Sequence, residues 1–192
     1  MKFVKWLIFI VAALLALFLV ITFFLPREYE VQRSVMIEAP APVIYNQVVD
    51  LEAWQEWNPW NMVDPDIVIV YGDQSSGAGA SYSWVSEIAG NGKMRILETD
   101  PNRYARYELI FEGYEELPSY STILIAPPPV DAEEPVHEVT WTFEGNVGDF
   151  FFARWMSVMV DKFVGASYEK GLAALKARCE SMAEIEPAAA SD

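Results

Sequence analysis

Residues 4–25, VKWLIFIVAALLALFLVITFFL, run apolar with Lys5 as the single charge. At 1.5 Å per residue a helix of that length covers the roughly 30 Å hydrocarbon core of a bilayer. The segment therefore reads as a transmembrane helix. After Pro26 the sequence turns mixed, polar and aromatic with turn residues, which predicts one water-soluble domain on a helical tether. A secretory signal peptide is the competing reading, and it requires a shorter apolar region followed by small residues. Thr22-Phe23-Phe24-Leu25-Pro26 offers bulky ones, which favours an uncleaved anchor. Lys2 and Lys5 precede the span and Arg27 and Arg33 follow it, so charge asymmetry gives little contrast. The lean is towards a cytoplasmic N terminus with the domain outside.

This divides the chain into an anchor at 1–26, a domain at 27–182 and a small, polar tail at 183–192 that is expected to be disordered. The net charge of −15 excludes DNA, RNA and anionic headgroups as electrostatic partners, since those need clustered Lys and Arg. Cys179 stands alone, so no internal disulfide forms. Aromatic residues make up 14%, and every tryptophan except Trp6 falls in the domain, more than a minimal core needs. Something wide and apolar is lined or filled.

Alternation with Val31, Val35 and Ile37 predicts a strand over 31–38. Pro40 and Pro42 suit a helix entry, Asp50 can cap a second short helix, and Asn58-Pro59 should stop it. Trp54 and Trp57 share one face there. Six further strands are predicted at 67–71, 79–89, 93–99, 103–112, 118–126 and 136–145. Asn91-Gly92 reads as a type I′ hairpin turn and Asp100-Pro101-Asn102 as the next turn. The connections 113–118 and 127–135 read as exposed loops. A helix from about Asp149 to Met182 is long enough to cross the sheet, with a bend or close contact at Gly165.

Val31 to Asp50, then Trp54-Gln55-Glu56-Trp57-Asn58-Pro59-Trp60, Gly77-Ala78-Gly79-Ala80-Ser81-Tyr82-Ser83-Trp84 and Gly165 to Lys176 resemble the polyketide cyclase/dehydrase and lipid-transport branch of the START-like, or SRPBCC, superfamily. The resemblance spans nearly everything after the anchor. It implies an α+β helix-grip fold: a curved seven-stranded antiparallel sheet around a long C-terminal helix, with two short helices after the first strand. It also implies an apolar cavity between sheet and helix. On that reading the ligand-binding candidates are Tyr82, Trp84, Tyr107, Phe111, Trp141 and Phe143 on strands, and Trp155, Met159 and Phe163 on the helix. Trp54, Trp57 and Trp60 read either as a lid, as membrane-interface residues, or as packing of the short helices.

Catalytic parts are scarce. His137 is the only histidine, expected to be exposed at a strand start, and with Cys179 it cannot supply the usual zinc site. No metal or cofactor is expected. No Gly-x-Ser-x-Gly elbow is present. Asp64 and Asp66 read as a solvated loop, and Arg154 and Asp161 as surface pairing or as groups reaching a ligand's polar end. Three functions compete: anchored binding of a hydrophobic small molecule or lipid, a cyclase- or dehydratase-like enzyme using Tyr107, Arg154 or His137, and a filled partner-binding module.

Overall fold

The computed structural model describes residues 2–130 and 135–189. Helix α1, Lys2–Phe24, is long and apolar enough to cross a membrane, at about 34 Å, and only Thr22 in it is buried. Three residues join it to β1, Glu28–Glu38.

The helix-grip α+β architecture is present, with three short helices where the sequence suggests two. Helix α2, Ala41–Val49, carries Pro42 in its first turn, where the missing N–H costs nothing. The Asp50 carboxylate then accepts from the amides of Glu52 (2.9 Å) and Ala53 (3.3 Å), capping α3, Leu51–Trp54. Helix α4, Pro59–Val63, follows because Asn58-Pro59 both stops and starts. Proline is excluded from a helix interior but favoured at its first position, and the Asn58 side chain caps the Trp60 amide at 3.1 Å.

Six strands complete the sheet: β2 Val68–Tyr71, β3 Ser81–Val85, β4 Gly92–Asp100, β5 Tyr104–Phe111, β6 Ser119–Ile125 and β7 Val136–Asn146. The order is β1-β7-β6-β5-β4-β3-β2, antiparallel throughout. The turn at Asp100 forms as expected, closed by Arg103 N–H on the Asp100 carbonyl with Asn102 at φ 63°. The Asn91-Gly92 hairpin does not. Strand β3 ends at Val85, the positive φ falls on Gly90, and the Asn91 side chain accepts from the Ser86 amide to close a six-residue loop. Gly92 serves packing instead, since a Cβ there would meet the Trp84 ring and the Ile110 carbonyl.

A 3-10 turn at Phe151–Ala153 leads into α5, Arg154–Ala189, which runs past Met182 because Ala183 still packs on the core. Of the expected tail, residues 190–192 lie outside the described residues, as do 131–134 of the β6–β7 connection. Gly165 makes a close contact: Arg33 of β1 lies across it and pairs with Asp161 (3.0 Å) and Glu169 (2.8 Å), one turn to either side. At Gly171 the helix meets Trp141 of β7 and Pro59 of α4.

The register brings the start of β1, the end of β7, and the β3–β4 and β5–β6 loops to one end of the sheet, the end where α1 joins. Gly171→Val would place a Cβ 2.8 Å from the Trp141 ring and 3.0 Å from Pro59. The expected cost is about 1–3 kcal/mol, read as a lower urea midpoint at unchanged m-value.

Candidate ligand cavity

Seven-stranded curvature requires something to fill the concave side, and at one end aromatic rings do so. Trp141 stacks on Tyr168 of α5 with centroids 3.7 Å apart, and Trp54 and Trp57 pack edge-on against Trp141. Ser121 and the Trp57 indole tie this floor together with hydrogen bonds. Ser121 Oγ donates to the Thr142 carbonyl, accepts from Trp141 Nε1 (2.8 Å) and meets the Tyr168 hydroxyl at 3.2 Å, while Trp57 Nε1 donates to the Gln47 carbonyl. Trp54 and Trp57 are therefore packing, and Trp60 lies half-buried at the cavity wall.

Towards the α1 end the floor opens into a cavity of about 610 Å³. That is within the roughly 300–1,000 Å³ usual for small-molecule sites. Tyr82, Trp84, Met94, Phe111 and Phe143 line the sheet side, and Met156, Val160 and Val164 the helix side. Gly90, Tyr114, Leu117 and Val147 stand at the loop rim.

Residues 28–180 match the model of the family described as polyketide cyclase / dehydrase and lipid transport. The chain belongs to that family. No curated protein matches it. Protein CV1439 from Chromobacterium violaceum is similar in structure, with TM-score 0.55, 16% identity, and coverage of 79% of this chain and 96% of that one. Norcoclaurine synthase from Thalictrum flavum, in complex with dopamine and hydroxybenzaldehyde, has TM-score 0.56, 13% identity, and coverage of 77% and 86%. The di-domain ARO/CYC StfQ from the steffimycin biosynthetic pathway has TM-score 0.58, 10% identity, and coverage of 82% and 52%. At such identities these likenesses speak for the fold alone.

In this cyclase/dehydrase and lipid-transport domain, five of the nine residues singled out in the sequence line the cavity: Tyr82, Trp84, Phe111, Trp141 and Phe143. The other four lie elsewhere. Tyr107 is wholly buried with its hydroxyl on the Val48 carbonyl at 2.6 Å, bonded to α2 rather than facing the cavity. Trp155 donates its indole N–H to Thr22 Oγ1 and stacks on Phe18, both in α1. Met159 and Phe163 point outward. Apolar residues cover more than half the circumference of the first turns of α5, so spacing alone cannot choose the inward stripe. Tyr168 on Trp141 and Arg33 on Asp161 and Glu169 set the rotation, which turns 156, 160, 164 and 168 inward. Sequence reasoning also passed over the Tyr29–Ser119 hydroxyl pair (2.8 Å), which lines the cavity from β1 and β6. The alternation of both strands signals an inward face there.

The titratable side chains facing the enclosed part are tyrosines. Burial pushes the Tyr29, Tyr82 and Tyr168 hydroxyls above their ordinary range, with hydrogen bonds to Ser119 and Ser121 pulling back at Tyr29 and Tyr168. They stay neutral donors and acceptors at physiological pH. The other polar candidates hold the fold. His137 is buried, contrary to expectation, because the chain after β6 folds over it and Ala126 O lies 2.7 Å from Nδ1, at the sheet end opposite the mouth. Asp64 is buried too, taking the Ser86 hydroxyl (2.5 Å) and the Asp66 amide and so pinning the β3–β4 loop. Arg154 donates to the Phe23 carbonyl at the end of α1, and Asp161 pairs with Arg33.

Ser121→Ala leaves the buried Trp141 indole N–H without its partner. The expected loss is about 1–3 kcal/mol, measured by thermal or urea unfolding. The pH response has a definite sign. A tyrosine whose folded pKa is raised keeps its full contribution below its unfolded value near 10 and loses it as pH rises beyond, by up to about 1.4 kcal/mol per pH unit per residue. Burial also pushes the Cys179 thiol up to about 12, so its contribution is the first to be lost as pH rises. Urea midpoints should therefore hold steady up to about pH 8, begin to fall near 9 and fall steeply above 10.

Proposed function

We propose that this chain is a membrane-anchored binder of a hydrophobic small molecule or lipid, held between the sheet and α5, with residues 1–26 as the anchor and 27–182 as the binding domain. The observation that carries the reading is the apolar, open-ended cavity of about 610 Å³. Each methylene buried there contributes roughly 0.8 kcal/mol, so a sixteen-carbon chain gains about 13 kcal/mol gross. That exceeds the several kcal/mol that association costs. Tyr29, Ser119 and Tyr168 offer hydroxyls to one polar group on an otherwise greasy molecule. Their neutrality and mutual bonding support binding over acid-base chemistry, which calls for a group titrating near the working pH. Support for the anchor comes from the length of α1 and the three-residue link to β1.

Mass spectrometry of lipids retained by the detergent-purified full chain is the direct test, joined to titration with a dansyl-labelled fatty acid. Val164→Trp, which fills the cavity from the helix side, should weaken the fatty acid at least about tenfold while thermal unfolding stays cooperative. Absence of any retained apolar molecule, together with fatty-acid binding indifferent to Val164→Trp, would overturn the reading.

A further inference from the structure

The 3-10 turn and the first turns of α5 carry a second apolar stripe that, among the described residues, no part of the domain covers. Phe152, Met159 and Phe163 fall at helical spacing on the side away from the sheet, and all are exposed, while Met156 stands beside them at the cavity edge. Beyond Phe163 the same face turns polar with Ser167 and Lys170, so the stripe is confined to the end where α1 joins. Across the mouth, Ile88 and Tyr114 on the β3–β4 and β5–β6 loops are also exposed. Together they form an apolar collar round the opening.

What covers this collar follows from its junction with α1. Phe18 stacks on Trp155 (5.3 Å, 2°) and on Phe152 (6.2 Å, 21°). Phe18 lies six positions before the end of α1, about 9 Å along its axis. A ring stacked on Phe18 shares its depth. The joint is also held by polar bonds: Trp155 Nε1 to Thr22 Oγ1 (2.8 Å), Arg154 to the Phe23 carbonyl (2.5 Å) and Ser157 Oγ to the Pro26 carbonyl (2.8 Å). With only three linking residues and this lock, the domain is held against the end of α1. The Arg154 guanidinium, over the Phe23 and Phe151 rings, suits the boundary where charge meets hydrocarbon.

We propose that the collar is a membrane-inserting surface: the outward stripe of α5 and the two facing loops sit in the acyl-headgroup boundary of the leaflet where α1 ends, and the cavity opens into that leaflet. An apolar ligand then passes between bilayer and cavity without crossing water. This inference rests on the reading of the chain as an anchored apolar binder, and it adds the surface, its depth and the route of entry. The protein's net charge of −15 disfavours electrostatic adhesion, which leaves apolar insertion to hold the domain down.

The test uses the full chain in phosphatidylcholine vesicles containing doxyl-labelled phosphatidylcholine. Single cysteines at Ile88→Cys, Phe163→Cys, Leu14→Cys within α1 and Val130→Cys on the far loop carry an NBD fluorophore, and the native Cys179 is buried from the reagent. The proposal expects NBD at 88 and 163 to lose more than about half its emission to the doxyl groups, as at 14, while 130 is unaffected. Ile88→Asp with Phe163→Asp, neither of which lines the cavity, should slow uptake of dansyl fatty acid from vesicles about tenfold and leave its affinity in detergent unchanged. Quenching at 14 alone overturns the collar and spares the anchor. Quenching nowhere overturns both. Self-quenching between copies at 163 without doxyl quenching overturns the bilayer as occupant in favour of a second chain. Loss of fatty-acid affinity in detergent by the wild-type chain would strike the binding reading and leave the doxyl result to judge the collar separately.

Discussion

The stack of Trp141 on Tyr168 is the contact on which the remaining architecture turns. It joins α5 to the middle of β7 through two rings 3.7 Å apart and is tied by Ser121, which serves both the indole and the phenol. Gly171, one turn further along, permits the close approach, because any side chain there would strike Trp141. From this point towards the N terminus of α5, helix and sheet enclose space instead of filling it. The floor is rigid and the far end open.

That asymmetry also explains the distribution of polar groups. Where rings are packed, the Tyr107 hydroxyl and the Trp57 and Trp141 indole N–H groups are engaged within the protein. Where the cavity opens, the hydroxyls at Tyr29, Ser119, Ser121 and Tyr168 border it in pairs, buried enough to stay neutral. The charges lie on other surfaces, where they clamp elements together: Arg33 across Gly165, Arg95 on Glu108, and Arg178 on the Gln47 side chain. Pairs this exposed contribute little stability individually. Their use is in fixing the rotation of α5, which decides what faces the cavity.

Strands were legible because alternation of Val, Ile and aromatic residues needs no tertiary context to be read; it grouped Tyr82 with Trp84 and Trp141 with Phe143 on one face each, and the family resemblance supplied the expectation that those faces and Phe111 look into a cavity. Tyr107 has the same alternation, yet its position over α2 takes it out of the cavity. Turn chemistry was legible at Asp100–Arg103 and misleading at Asn91-Gly92, where a long-range demand prevailed: Gly92 is glycine to admit Trp84, and Asn91 bonds Ser86 and Glu112. Short polar side chains such as Asp64 and Asn91 look like loop residues in sequence whether they face water or close a buried turn.

From its residues alone the chain determines an apolar N-terminal helix of spanning length, a seven-stranded antiparallel sheet and a long terminal helix, because each rests on local periodicity. Tertiary structure alone decided which face of α5 looks inward, that Trp155 joins α1, and that Met159 and Phe163 face out. The physical reason is that apolar residues cover more than half the circumference of the first turns of α5, a band wider than any one inward stripe. Hydrophobicity then specifies burial without direction, and only the contacts with Arg33, Trp141 and Thr22 supply the angle.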